Sequence, residues 1–468
     1  METSIPQTVS DPKLQLAIYS ATARLKNNRA ASVADDVLPQ YQDLRTRAHE
    51  LKRHAIENLD LYLEQFATNV EGHGGRVVFC DDGTQVADFV LNLAKERGAR
   101  LIVKSKSMTT EEIDLNERLE QHQLESVETD LGEYIMQLAH ERPYHIVAPA
   151  LHKTRYDVAD LFSERLGVER EEVIEKQTMI ARRVLRDKFL SADIGITGAN
   201  FLVADSGAVV VVENEGNARL TMSTPKIHIV IAGIEKMIPR AQDLAVFLKL
   251  LGRSATGQPL SVYTSFVSGP RRPGEIDGPD EFYVILLDNG RTKLLADPEK
   301  RESLFCLRCG ACLNACPVYR KIGGHNYPWV YSGPIGAILT PQFHGFSEAG
   351  WVPFASSLCG ACAEVCPVKI DIPKVLLALR RDVVAAKPKR WESRAFQAWA
   401  WVMCHPRWYE FLSALAPRVG WRSRLPGPLN VGPIAAWTSQ RDLPPLAPKS
   451  FRKLWAEREK AKRAPNGA

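Results

Sequence analysis

Cys306-Leu307-Arg308-Cys309-Gly310-Ala311-Cys312-Leu313-Asn314-Ala315-Cys316-Pro317 is followed, about fifty positions on, by Cys359-Gly360-Ala361-Cys362-Ala363-Glu364-Val365-Cys366-Pro367. The second run repeats the first. Cys309, Cys312 and Cys316 fall on Cys359, Cys362 and Cys366, and Gly-Ala and Pro-Val repeat with them. Cys306 alone finds no thiol opposite it; it meets Ser356.

The spacing C-x2-C-x2-C-x3-C-P is that of a bacterial two-cluster ferredoxin. Cysteines three apart in a tight loop turn three sulfurs toward one cluster. The fourth, ahead of a proline that fixes the next backbone step, reaches the other. The glycine in each Cys-Gly-Ala-Cys lets the backbone approach closely. Two [4Fe-4S] clusters are therefore expected. Cluster one takes Cys306, Cys309, Cys312 and Cys366. Cluster two takes Cys316, Cys359 and Cys362, with its fourth ligand open among Ser356, solvent, a three-iron form, Cys404 and His325. A neutral hydroxyl is a poor ligand beside thiolates, which favours Ser356 as a loop serine. Disulfides fit poorly with a long chain that starts without a secretion signal. Zinc ribbons rarely carry three successive C-x2-C steps plus C-P in duplicate.

The chain has 468 residues, room for two to four domains, and 45% hydrophobic residues, ordinary for a globular core. A net charge of +5 over this length does not argue for nucleic acid. No run of about eighteen apolar residues predicts a transmembrane helix. A cytoplasmic protein is expected, with peripheral membrane contact left open.

Outward from the cysteines, four regions are expected: an N-terminal helical segment, 1–65; an α/β domain with a mostly parallel sheet, 66–295; a helical two-cluster ferredoxin-like domain, 296–385; and a Trp-rich C-terminal region, 386–468. In the first, Leu51, Ala55, Leu59 and Leu63 recur at helical spacing. In the second, strands Arg76–Cys80, Arg100–Lys104, Leu124–Val127 and His145–Pro149 alternate with helices over 86–97, from Thr109, and over 131–141. Thr109 with Glu112, and Asp130 with Glu133, have capping-box spacing. Such alternation predicts a parallel sheet with helices on its faces. A long helix over about 169–190 leads to strands Ile194–Ala199, Phe201–Gly207, Ala208–Glu213 and Lys226–Ala232, a helix over about 239–252, and strands near 260–266 and 282–288. The Ala208–Glu213 run, nearly all apolar, is expected to be buried on both faces. Seven of the nine tryptophans lie between Trp391 and Trp455. They fit either packing or a partner-docking surface.

A second candidate site gathers Thr197-Gly198-Ala199, Asp205-Ser206-Gly207 and Glu213-Asn214-Glu215-Gly216-Asn217 at strand ends, where parallel sheets bind ligands. An anionic ligand would suit it, although each motif is also an ordinary turn sequence. No G-x-G-x-x-G follows a strand and no P-loop occurs, so no nicotinamide or flavin site is expected. Cys80 and His228 read as core residues.

The whole chain resembles the lactate utilisation protein B family. The resemblance is carried by Lys104-Ser105-Lys106-Ser107-Met108-Thr109, Val127-Glu128-Thr129-Asp130-Leu131-Gly132-Glu133, Thr197-Gly198-Ala199, Val212-Glu213-Asn214-Glu215-Gly216-Asn217, both cysteine runs and the Trp-rich tail. It implies a lactate-utilisation (LUD) domain similar in fold to ribose-phosphate isomerases and CoA transferases. It also implies the ligand sets given above, with seven cysteines as the family pattern. Function would be electron transfer during oxidation of L-lactate to pyruvate, as a subunit rather than a stand-alone enzyme. Partners would be a cysteine-rich iron–sulfur protein and a small LUD-domain protein. Two other readings compete: acyl or CoA-type chemistry on Glu213, and an iron–sulfur redox sensor.

Overall fold

The computed structural model describes residues 5–386, 390–419, 447 and 449–463. The chain divides into two compact units, residues 1–383 and 384–468.

The first unit opens with helices Ile5–Ser10, Pro12–Ser32, Tyr41–Glu57 and Leu59–Gly72. Asp11 caps the second by accepting from the Lys13 and Leu14 amides, and Pro12 fits its first turn. The apolar row Leu51, Ala55, Leu59 spans two helices, since the chain breaks at Asn58.

Ten strands follow: β1 Arg76–Cys80, β2 Leu101–Lys104, β3 Glu125–Glu128, β4 Ile194–Thr197, β5 Phe201–Val203, β6 Ala208–Glu213, β7 Ile227–Gly233, β8 Met237–Ile238, β9 Tyr263–Val267 and β10 Glu281–Leu287. Six form a wholly parallel sheet in the order β1-β10-β7-β4-β2-β3. Its centre is buried throughout: every residue of β7 is buried, and so is every residue of β4, with His228 and Thr197 the polar members. Helices cover both faces, as parallel crossovers require. Gly195 in β4 admits the helix Asn217–Ser223 so closely that a Cβ there would lie 1.9 Å from the Thr221 carbonyl oxygen.

The remaining strands make a second sheet, β8-β5-β6-β9. Here the structure departs from a single parallel sheet. β6 is buried over Ala208–Val211, as its apolar run predicts, but it pairs antiparallel with both β5 and β9. A buried apolar strand has the same pattern in either direction, so the sequence is silent on the pairing.

Three local readings change. His145–Pro149 is a loop, not a strand: the His145 ring accepts at Nδ1 from the Val147 and Ala148 amides and folds the chain back on itself. The helix expected from Thr109 starts at Met108 and is capped by Ser107, while Glu112 turns into the core. The long helix expected over 169–190 is Ile174–Ser191, and a further helix, Arg155–Leu166, precedes it. Asp130 does cap the helix Leu131–Ala139.

Beyond residue 300, short helices carry the cysteine runs, and one apolar cluster joins Leu304, Phe305, Leu313, Tyr319 and Ile338 to Leu51, Phe201, Val210 and Phe247. The second unit contains helices Arg390–Cys404, Pro406–Val419 and Phe451–Arg463. Trp391, Trp399, Trp401, Trp408 and Trp455 are exposed. Trp421 and Trp437 lie outside the described residues. Among the described residues no helix is long and apolar enough to cross a membrane.

Candidate functional site

The two cysteine runs fold alike. Arg308 and Leu358, equivalent by the fifty-residue shift, both have positive φ (61° and 54°), as do Gly310 (73°) and Gly360 (83°). Each glycine then opens a one-turn helix, Ala311–Ala315 or Ala361–Val365, and the two helices pack together. The Arg308 amide donates to Cys306 Sγ at 3.3 Å. In the second run the Leu358 amide donates to Ser356 Oγ at 3.2 Å. Ser356 thus stands in the loop as Cys306 does, with oxygen for sulfur.

The thiols gather as two neighbouring groups. Cys306, Cys309 and Cys366 all act electrostatically on Cys312. Cys316 and Cys359 act on Cys362. The groups also feel each other, since Cys362 acts electrostatically on Cys312. All seven are free of disulfides. Burial pushes Cys309 and Cys362 up to about 12 and Cys366 up to about 11. Amides already point at sulfur: Tyr319 N to Cys316 and Ile370 N to Cys366, each at 3.4 Å. Several buried thiolates cannot share such a space unless cations compensate them, so the donor set fits iron–sulfur clusters. Cys359 is the exposed member, whereas Cys309 is buried.

His325 is engaged elsewhere. Its Nε2 bonds the Arg142 carbonyl oxygen at 2.8 Å, and its ring packs on Tyr144 and His152. Cys404 belongs to the second unit and is exposed.

Beside Cys309 lies a cavity of about 320 Å³. It opens at the carboxyl ends of β2, β3 and β4, where parallel sheets bind ligands. Ser105 to Thr109, Asp130, Gly198 to Asn200 and Glu213 to Asn217 line it from the sheet side, Gly216 excepted; Leu307, Arg308 and Cys309 line it from the cysteine loop. Two of the three motifs singled out by sequence thus meet here. The third, Asp205-Ser206-Gly207, does not: Asp205 accepts from the Ala241 amide, and Gly207 packs on Asn69 and Val70. Glu213 is a poor nucleophile, because its two oxygens accept from the Ala218 and Arg219 amides at 2.8 Å each. Glu215 is pushed up to about 7, first by burial and then by Asp130.

The LUD domain family matches residues 63–287, a 4Fe-4S dicluster domain matches 302–370, and the C-terminal domain of lactate utilisation protein B matches 381–460. Lactate utilization protein B of Bacillus velezensis is 42% identical over 98% of this chain and 97% of its own. That of Bacillus subtilis is 41% identical over 98% and 96%. The chain belongs to the lactate utilization protein B family. An Escherichia coli relative of equal similarity, 42% over 100% of this chain and 98% of its own, is named uncharacterized electron transport protein YkgF. A DUF162 family protein from Deinococcus radiodurans, solved by crystallography, aligns over 49% of this chain and 98% of its own. Identity is 10% and the TM-score 0.28, too low to argue from.

In this lactate utilization protein B family member, a buried ion network ties the sheet to the cysteine loop. Arg291, fully buried, forks onto Glu112 at 2.8 and 2.9 Å and reaches Glu235 at 2.5 Å. Tyr331 donates to Glu112 at 2.7 Å, and Arg308 lies over the Tyr331 ring, 4.4 Å from its centroid. Lys52 donates to the Glu235 carbonyl, and burial pushes its amine down to about 7. The N-terminal helices hold the second cysteine turn as well. Arg45 donates to the Cys366 and Ala363 carbonyls, and Arg29 to that of Val365. Sequence reasoning missed Arg29, Arg45, Lys52 and Arg291. Arginines in polar-looking helices carry no local sign of partners three hundred positions away. Arg308, between two cysteines, was the one signal in plain view. His228 and Cys80 are core residues: His228 bonds Thr197 at 2.8 Å, and Cys80 is buried at the end of β1.

Proposed function

We propose that the chain is an iron–sulfur electron-transfer protein of lactate utilisation, holding two [4Fe-4S] clusters. Cys306, Cys309, Cys312 and Cys366 hold the first; Cys316, Cys359 and Cys362 hold the second. When bound, each cluster accepts and returns one electron. Oxidation of L-lactate to pyruvate releases two electrons and two protons, so two neighbouring one-electron centres match the stoichiometry. The carrying observation is the pair of adjoining thiol groups built from duplicated loops. The names of two relatives, lactate utilization protein B in Bacillus velezensis and electron transport protein in Escherichia coli, agree with it.

The chain's own residues set the surroundings. Amides on Cys306, Cys316 and Cys366 stabilise negative sulfur and so favour the reduced form. Arg45, Arg29 and the Arg291 network lock the two loops against each other and against the sheet. Buried Cys309 faces the cavity, and exposed Cys359 faces solvent, which gives the site an inner and an outer end. A cysteine-rich iron–sulfur protein and a small LUD-domain protein are the proposed partners, in the cytoplasm. The test is reduction of the anaerobically purified protein by L-lactate with and without those two proteins, followed by electron paramagnetic resonance. Reduction only in the complete mixture supports the reading; no reduction in any mixture opposes it.

A further inference from the structure

We propose that the cavity at the carboxyl ends of β2, β3 and β4 binds a small hydroxycarboxylate, held by Lys106, Lys236 and Arg308 directly against the Cys306–Cys312 loop. The inference deepens the electron-transfer reading, and rests on it only for its spectroscopic arm.

Three cations line this cavity, and Lys106 Nζ and Arg308 Nη1 are buried there without a hydrogen-bond partner. Arg308 is nine-tenths buried; its Nη2 stands 3.5 Å from Glu235, but Nη1 is buried with no hydrogen-bond partner. Lys106 Nζ is likewise buried without a hydrogen bond, its nearest carboxylate being Glu133 at 3.9 Å. Burial pushes the amine of Lys236, 8% exposed, down to about 8 against the pull of Glu235. Buried cations left this way are costly, and an anion in the cavity would offset the cost. A guanidinium presents a planar fork that matches carboxylate or phosphate.

The acidic residues decide between those two. Asp130, Glu213 and Glu215 line the same cavity. Asp130 and Glu213 would repel a dianionic phosphate, and all three carboxyl groups can hydrogen-bond a ligand hydroxyl. A single carboxylate with a neighbouring hydroxyl satisfies both sets. The volume, about 320 Å³, sits at the small end of ligand sites. Arg308 and Cys309 are adjacent in the chain and both line the cavity, so a carboxylate there adds a negative charge beside the first thiol group.

The test is isothermal titration of anaerobically prepared holoprotein with L-lactate, and separately with inorganic phosphate. Saturable binding of L-lactate, with phosphate at least about tenfold weaker, is expected. Lys106→Met should weaken L-lactate at least about tenfold. Ala255→Phe, which fills the cavity and leaves every charge in place, should abolish binding; iron content at the parental level shows that each variant is folded. L-lactate should also change the resonance line shape of one cluster in dithionite-reduced protein. No saturable binding, equal affinity for phosphate, or unchanged binding in both variants would overturn the proposal. Reducible clusters without L-lactate binding would sink this inference alone. Binding by a protein with no reducible clusters would sink the electron-transfer reading alone.

Discussion

Ser356 and Cys306 differ by one atom in equivalent loops, and the difference bears on how the proposed second cluster would be completed. The serine hydroxyl already accepts from Leu358 N, and its neutral oxygen competes poorly with thiolates. Ser356→Ala is therefore expected to leave iron content and resonance spectra unchanged, a result read directly from anaerobic samples. A lost iron or an altered second signal would make the serine a ligand. Glu215 makes a pH prediction. Burial, with Asp130 and Glu213 nearby and Lys106 opposing them, raises its folded pKa to about 7 from an ordinary 4.5. The folded protein then holds a proton that the unfolded chain gives up. That contribution to stability is complete below about pH 4.5 and is lost as pH rises through about 7. Urea midpoints measured at about pH 5 and about pH 8 should differ less in Glu215→Gln than in the parent. An equal difference in both would remove Glu215 as the cause.

Elements are joined here by a few exacting contacts. Arg291 links the helix Met108–Glu112, the Glu235 turn after β7 and the end of β10. Arg291→Met leaves Glu112 and Glu235 buried without their partner, and should cost about 3–5 kcal/mol in urea unfolding. Gly195→Ala drives a methyl group into the Thr221 carbonyl and should lower stability while leaving the cysteine loops intact, read as a lower midpoint with parental iron content. Much at this scale was legible. Apolar runs alternating with helical periods placed β1, β2, β3, β4 and β7 within a residue or two, because each carries its own burial pattern. The antiparallel β6 was not legible, since its run Ala208–Val212 looks the same in either direction. His145–Pro149 misled for a related reason: Ile146, Val147 and Ala148 look like strand, but a single ring nitrogen captures two amides and makes a loop.

At the scale of the first unit, the site is assembled from distant stretches. The cysteine pattern pointed to the thiols that lie near one another here, because spacing within each run is a local property. It could not tell that Arg29 and Arg45, near the amino end, grip the turn at Cys366, or that Lys106 and Arg308 share one cavity. Those contacts depend on how the sheet, the N-terminal helices and the cysteine loops pack. The resulting order runs from the cavity through buried Cys309 to exposed Cys359. The central claim is that this chain holds two reducible clusters on seven cysteines. Anaerobic purification followed by iron and sulfide counting, with a reductive titration monitored by electron paramagnetic resonance, tests it most directly. About eight irons and two one-electron reductions are predicted, with seven irons if cluster two is a three-iron form. Four irons or fewer, or a single reducible centre, would contradict it.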